Sequence, residues 1–295
     1  MTEHVIKQEC ELLRYLIDNL HFSRNVAKKI LSNSTYVNNQ KISKYNYLLK
    51  SGDIVKISND TSNKYDLDIM YEDDDFIAIN KPSGLLSISS NNESCNTAYH
   101  YVREYLKDKD KHNKIFVLHR IDKDTSGVLV FCKNVKLRDA LQNDWNNLVK
   151  SRKYYAIVTG KLDKKEDTIT NYLAKNKFDL VYITNQNDRN GKKAITEYSV
   201  IKENNKYSLL DLNIYTGRKN QIRVTMKDLE HPILGDKNYG GEKYKRLCLH
   251  AYELTFLNPL NNKIYSFKTK MPSLFNSIVK WLIYIKSRVK NKDNL

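Results

Sequence analysis

The sequence predicts an α+β protein in two parts, and three observations carry that prediction. Short runs of β-branched and aromatic residues bounded by turn residues recur along most of the chain, as in Phe76–Ile79, Val128–Phe131 and Ser208–Tyr215. A few stretches keep apolar residues at helical spacing, and they fall among those runs. A polar, turn-rich segment, Asn59–Lys64, separates a short N-terminal stretch from the rest. At 295 residues the chain has room for one large domain, or a large and a small one.

The totals narrow the partners. Lys and Arg number 50 against 34 Asp and Glu, a formal charge of +16. An excess this large favours a polyanion such as RNA, DNA or an acidic membrane surface. No apolar run approaches a spanning length, and charged residues stand where a signal peptide would be apolar, so no membrane role is expected. The four cysteines, Cys10, Cys95, Cys132 and Cys248, have no Cys-x-x-Cys spacing. That pattern fits neither a zinc site nor a disulfide framework, so no metal is expected, and it suits a reducing cytoplasm.

Within the small module, residues 11–57, Leu12, Leu13, Leu16, Ile17 and Leu20 recur at helical spacing. Ser23 is placed to cap a second helix, Arg24–Leu31, whose Val26, Ala27 and Ile30 face a core. Arg24 and Lys28, four apart, share another face with Lys29 beside them. Tyr36–Ile42 reads as a hairpin turning at Asn38-Asn39. A turn at Gly52-Asp53 leads to a last short strand ending at Ile57. Two helices, a hairpin and a basic face resemble an S4 RNA-binding domain. Asn-Asn stands in place of that domain's Asn-Gly, and its Gly before the hairpin is absent. The resemblance implies that Arg24, Lys28 and Lys29 contact RNA.

In the larger part, two strands, Ile69–Tyr71 and Phe76–Ile79, flank an acidic turn, and Lys81-Pro82-Ser83-Gly84-Leu85 follows at once. Thr97–Leu106 is expected to be helical. His119 to Gly127 is a polar loop against a buried strand, Val128–Phe131, and it holds an imidazole, a guanidinium, two carboxylates and two hydroxyls. Local turn hydrogen bonding, with Gly127 at positive φ, is one reading of that loop. A calcium loop is another, but the bidentate Glu it needs at position twelve is Lys133 here. Leu137–Leu148 is an expected helix and Arg152–Gly160 an expected strand. Thr216–Val224 follows the Ser208–Tyr215 strand, His231-Pro232 reads as a structural turn, and Ile278–Ile285 as a closing amphipathic helix.

His-Arg-Ile-Asp-Lys-Asp-Thr-Ser-Gly, residues 119–127, resembles the signature of the RluA-type pseudouridine synthases. The resemblance continues in order through Asn80–Leu85, Arg152–Gly160, Gly191–Tyr198, Thr216–Val224, His231–Asp236, Tyr239-Gly240 and Leu249–Leu254. It implies a pseudouridine synthase fold, a mixed, largely antiparallel sheet with a central cleft, over 67–295, preceded by an S4-like domain over 1–60. It implies Asp122 as the catalytic residue, acting as nucleophile or base, with Tyr154 stacking on the uracil. Arg223 would hold Asp122 ionised and oriented by paired hydrogen bonds, unless it is merely a strand Arg pairing with a nearby carboxylate. Arg120 would fill the vacated stack, and Arg218 would bind RNA. Asn220 replaces the usual His of Thr-Gly-Arg-x-His-Gln.

The implied reaction isomerises uridine within RNA. It needs no redox change and no external group, so no cofactor is expected. S4-bearing members of the family point to large-subunit ribosomal RNA; the protein is expected to be a monomer, in the cytoplasm that its cysteine usage suits. The same reaction on transfer RNA is the second reading, and a non-catalytic RNA-binding assembly factor the third. Asp122, Tyr154 and Arg223 together speak against the third, because binding alone does not require the trio.

Overall fold

The structure, a computed structural model, describes residues 2–20, 27, 28, 30, 31, 35–57, 67–89 and 96–280. The chain forms two compact units, Met1–Asp66 and Leu67–Leu295.

In the first unit, Leu12–Arg14 is α-helical and runs into a π-helical turn, Tyr15–Asn19. Leu12 and Leu16 are fully buried with Ala27, Leu31, Val37, Leu49 and Val55. Residues 27, 28, 30 and 31 are helical, as the spacing predicts. Ser23, Arg24 and Lys29 lie outside the described residues, so the expected basic face is described at Lys28, which is exposed. The hairpin Thr35–Val37 and Gln40–Lys41 turns on Asn38 and Asn39, with φ of 49° and 68°. Both central residues of this turn must be left-handed, which Asn tolerates. Asn38 does more than permit the turn. Its Nδ2 donates to Asp53 (2.8 Å), and its Oδ1 accepts from Ile54 N (2.9 Å). One strand falls outside the expected core of 11–57: Thr2–Val5 pairs with Ile54–Ile57 at a sheet edge. Its Thr-Glu-His-Val sequence carries no apolar alternation, so no period marks it.

The second unit is built on one eleven-stranded sheet. Its strand pairings are antiparallel except one, where Ser126–Cys132 runs parallel to Leu249–Leu257 through Ser126↔His250 and Gly127↔Ala251. Each half carries its own core. Phe76, Val130, Phe256 and Phe267 pack on one side of that junction; Ile157, Leu210, Met226 and Phe275 belong to the other. Gly127 takes φ 116°, and a Cβ there would collide with the Ala251 carbonyl oxygen. The two strands meet closely at the base of the 119–125 loop, and glycine alone fits.

Three boundaries differ from expectation. The helix expected over Leu137–Leu148 is two, Val135–Asn143 capped by Asn134 and a single turn Trp145–Leu148, and the next strand begins at Val149. Arg223 lies on a helix, Gln221–Asp228, not on a strand. Ile222, Val224 and Met226 alternate with Gln221, Arg223 and Thr225, a period of two that reads as a strand, although all six are buried on the helix. Residues 273–280 are helical, beginning earlier than the predicted Ile278, and 281–285 lie outside the described residues. Ala98–Lys109 is helical from its Thr97 cap, whose Oγ1 accepts from His100 N (3.1 Å).

Candidate active site

The 119–125 loop is laced from behind by the segment that follows the Phe76–Lys81 strand. Lys81 is fully buried, and its Nζ donates to three carbonyls, Pro82 (3.0 Å), Leu85 (2.6 Å) and Lys123 (3.0 Å). Gly84 N donates to Lys123 O (2.9 Å), Ser83 Oγ to Asp124 O (2.6 Å) and Ser87 Oγ to Ile121 O (2.7 Å). The carbonyls on both sides of Asp122 are therefore fixed. Burial pulls the Lys81 ammonium down to about 7, against the attraction of Asp124 and Asp122. The sequence signal is a lysine ending a mostly apolar strand, Phe76–Lys81.

Other polar groups of the loop are structural. His119 Nε2 accepts from Val130 N (3.0 Å), and its ring stacks on Trp145 at 6.0 Å. Burial, then the Arg152 charge, lowers its pKa to about 3, which favours the neutral ring that accepts from Val130 N. The Ser126 hydroxyl is buried against His250 Nδ1 (2.7 Å) and accepts from Arg246 Nη2 (2.6 Å).

Asp122 opens onto a cleft of about 1060 Å³, with its side chain 30% exposed. The cleft also takes in Arg120, Trp145, Arg152, Tyr154, Arg218, Lys219 and Arg223. A smaller hollow of about 550 Å³ is lined by Glu166, Asp167, Glu197 and Asp211 around one Lys153, and so repels a polyanion. Burial raises the Asp122 pKa, while the charges of Arg223, Lys219 and Lys81 oppose the rise without cancelling it. Tyr154 sits on the Val149–Thr159 strand, opposite Leu212 and Ala251. Burial, with Asp122 adding and Arg152 opposing, pushes its phenol up to about 12. The next residue, Tyr155, does not line the cleft and instead stacks on Tyr252 at 4.0 Å.

Arg223 departs from expectation. Its paired hydrogen bonds go to Asp236, Nε to Oδ2 and Nη2 to Oδ1, both 2.7 Å. Asp122 receives an ion pair at 3.8 Å from Nη1, too long for a hydrogen bond. The same Nη1 donates to Asn220 Oδ1 (3.0 Å). Burial works against the guanidinium's charge, and the bonds to Asp236 more than restore it, so its pKa lies above the ordinary value. Asp236 is buried at 1% and also accepts from Asn238 N and Tyr239 N. Asn220 takes φ 53° ahead of the helix, and its Nδ2 donates to Tyr239 OH (3.0 Å). Arg120 and Arg218 are exposed at the cleft, and Arg218 Nε donates to Lys193 O (3.0 Å). Among the described residues no cluster of side chains could hold a metal ion.

The chain matches the family model described as RNA pseudouridylate synthase over residues 75–228. It is 31% identical to an uncharacterized RNA pseudouridine synthase of Mycoplasma genitalium, covering 89% of each chain. It is 36% identical to ribosomal large subunit pseudouridine synthase C of Rickettsia bellii, covering 71% of this chain and 70% of that one. In structure it is similar to human RNA pseudouridylate synthase domain containing 4, with a TM-score of 0.58 at 23% identity, over 70% of this chain and 89% of that one. That last likeness speaks for the fold, and the sequence matches for the activity: this chain belongs to the RNA pseudouridine synthase family and is an isomerase acting on RNA.

Proposed function

We propose that the protein converts specific uridines of large-subunit ribosomal RNA to pseudouridine, with Asp122 as its catalytic residue. The observation that carries the catalytic assignment is Asp122, a partly exposed carboxylate held from behind, set 3.8 Å from Arg223 and facing a cation-rich cleft together with Tyr154. The ribosomal assignment is supported by a relative named for the large subunit.

In the reaction the N1–C1′ bond breaks, the uracil turns, and a C5–C1′ bond replaces it. The proton leaves C5, and N1 regains one. The uridine first leaves the stack, at a cost of roughly a few kcal/mol. Arg120, flat and exposed at the rim, fills the gap, and Arg218 holds phosphate. Asp122 acts ionised, as nucleophile on the sugar or base or as base on the sugar. Arg223 keeps it charged from 3.8 Å without tying up its oxygens. Tyr154, protonated with a pKa of about 12, stacks on the uracil and offers its hydroxyl for proton exchange at C5. The N-terminal unit, as an S4-like domain, adds phosphate contacts through Arg24, Lys28 and Lys29 that position the RNA without reading its sequence. The protein works as a monomer in the cytoplasm.

Mapping pseudouridines in ribosomal and transfer RNA from cells lacking the protein tests the substrate. Loss of one or a few sites in the large-subunit RNA is expected. Loss confined to transfer RNA overturns the ribosomal assignment, and no lost site in either overturns both.

A further inference from the structure

The hairpin between strands Glu166–Lys175 and Val181–Thr184 carries an unusual tip. Phe178 is 73% exposed there, yet it lines the same cleft as Asp122. The turn beneath it is well braced. Asn176 Oδ1 accepts from Phe178 N (2.9 Å) and Leu180 N (3.1 Å), Asn176 N donates to Leu180 O (3.0 Å), and Asp179 N to Asn176 O (3.0 Å). Asp179 is paired with Lys175 (2.7 Å) and with Lys219. Lys219 belongs to the loop that leads into the Arg223 helix, so the tip is tied to the loop beside the reactive carboxylate.

A phenyl ring this exposed adds little to folding, because most of its surface stays in water. The bracing holds it out rather than tucking it in. Its surroundings carry a net positive charge: Lys177 Nζ lies 5.1 Å from the ring centre, and Lys175 and Lys219 flank the turn around the one carboxylate they share, Asp179. An aromatic face among lysines is the arrangement that binds unpaired nucleic acid, since any base stacks on the ring while the lysines meet phosphates. Flipping a uridine also leaves its neighbours without a stacking partner.

We propose that Phe178 is a stacking platform for an unpaired nucleobase beside the target uridine, with Lys175 and Lys177 holding the adjoining phosphates. The proposal rests on RNA being the substrate, not on which RNA, and not on the role of Asp122.

The test is binding of the full-length protein to a twelve-nucleotide oligouridylate with one internal 2-aminopurine, across a salt series. Phe178→Ala should bind about 5- to 150-fold more weakly, the loss of one stacked base. Its salt slope should match wild type, because no counterion release is lost, whereas Lys175→Ala with Lys177→Ala should flatten the slope. Phe178→Trp should keep the affinity, and 2-aminopurine should be quenched by wild type and Trp but not by Ala. Unchanged melting of Phe178→Ala would confirm that the fold is intact. Wild-type affinity in Phe178→Ala overturns the proposal and leaves a protein-docking use for the tip. Wild-type affinity in Phe178→Leu overturns stacking in favour of plain apolar contact. Failure of the wild type to bind the single strand overturns the platform altogether. None of these outcomes involves turnover or ribosomal RNA, so they stand apart from the large-subunit assignment.

Discussion

Two carboxylates share Arg223 and are treated in opposite ways. Asp236 has no exposed side-chain surface, and it takes both arms of the guanidinium fork plus two backbone donors. Asp122 keeps 30% of its side chain exposed and receives one long ion pair. A carboxylate saturated with hydrogen bonds is a poor nucleophile and a poor base, because those bonds must be broken as its charge is used. The arrangement assigns the strong bonds to the partner that anchors the arginine and leaves Asp122, the residue proposed to react, with field but little bonding. Charge can thus stabilise Asp122 at a distance without quenching it.

The largest effects should separate the two. Asp122→Asn should lower pseudouridine formation by at least about 10²-fold, while RNA binding survives. It should also raise the melting temperature. Burial raises this group's pKa in the folded state, so its charge opposes folding above that pKa, and the neutral amide removes the opposition. Asp236→Ala should do the reverse in kind. It strands a buried guanidinium, at a cost of roughly 3–5 kcal/mol in stability. Urea unfolding of both variants beside a pseudouridine assay checks the pair. If Asp236→Ala unfolds like wild type, the comparison collapses.

These two carboxylates were not equally legible in the sequence. Asp122 stands in a polar loop beside Gly127, and both the loop's chemistry and the glycine's positive φ could be read from the chain. Asp236 also stands in a recognised segment, but its use is a contact thirteen residues back across a turn, and no local period reports it. Lys81 was hidden the same way, because its three carbonyl partners come from two separate stretches. The helix Gln221–Asp228 is not legible as a helix because its apolar residues, Ile222, Val224 and Met226, fall at every second position, the period of a strand. Tyr154 and Tyr155 differ only in the face they present, and the register of the Val149–Thr159 strand puts the former in the cleft.

A smaller effect sharpens the division of labour inside Arg223. Arg223→Lys keeps the charge but loses the fork, so it cannot hold Asp236 with two bonds and reach Asp122 as well. Activity should drop about 10- to 100-fold, the loss of one or two charge-assisted bonds. The acid side of the kcat/KM profile should also move up in pH. In the proposed reaction Asp122 acts ionised; its pKa is already raised by burial, and a weaker nearby cation raises it further, so rate is lost sooner as the pH falls. An unmoved acid limb would mean that Arg223 does not act on Asp122 through charge.

The smallest effect concerns the brace, Asn220. Its Oδ1 accepts from Arg223 Nη1 while its Nδ2 donates to Tyr239 OH, at a backbone φ of 53° that Asn tolerates. The related family usually carries histidine here. A neutral imidazole can accept from Arg223 with one nitrogen and donate to Tyr239 with the other, so Asn220→His should work nearly as well as wild type at pH 8. A protonated imidazole has no acceptor and sets a cation against Arg223. The brace should therefore be lost as the pH falls below about 6.5, or lower still if Arg223 disfavours the second charge. Asn cannot ionise and holds the brace at every pH. The measurement is the ratio of kcat/KM for Asn220→His to wild type between pH 5.5 and 8, in which the Asp122 titration common to both largely cancels. The ratio should decline toward acid pH. A flat ratio would mean that the contact to Arg223 is incidental, and that Asn220 is kept for its backbone conformation alone.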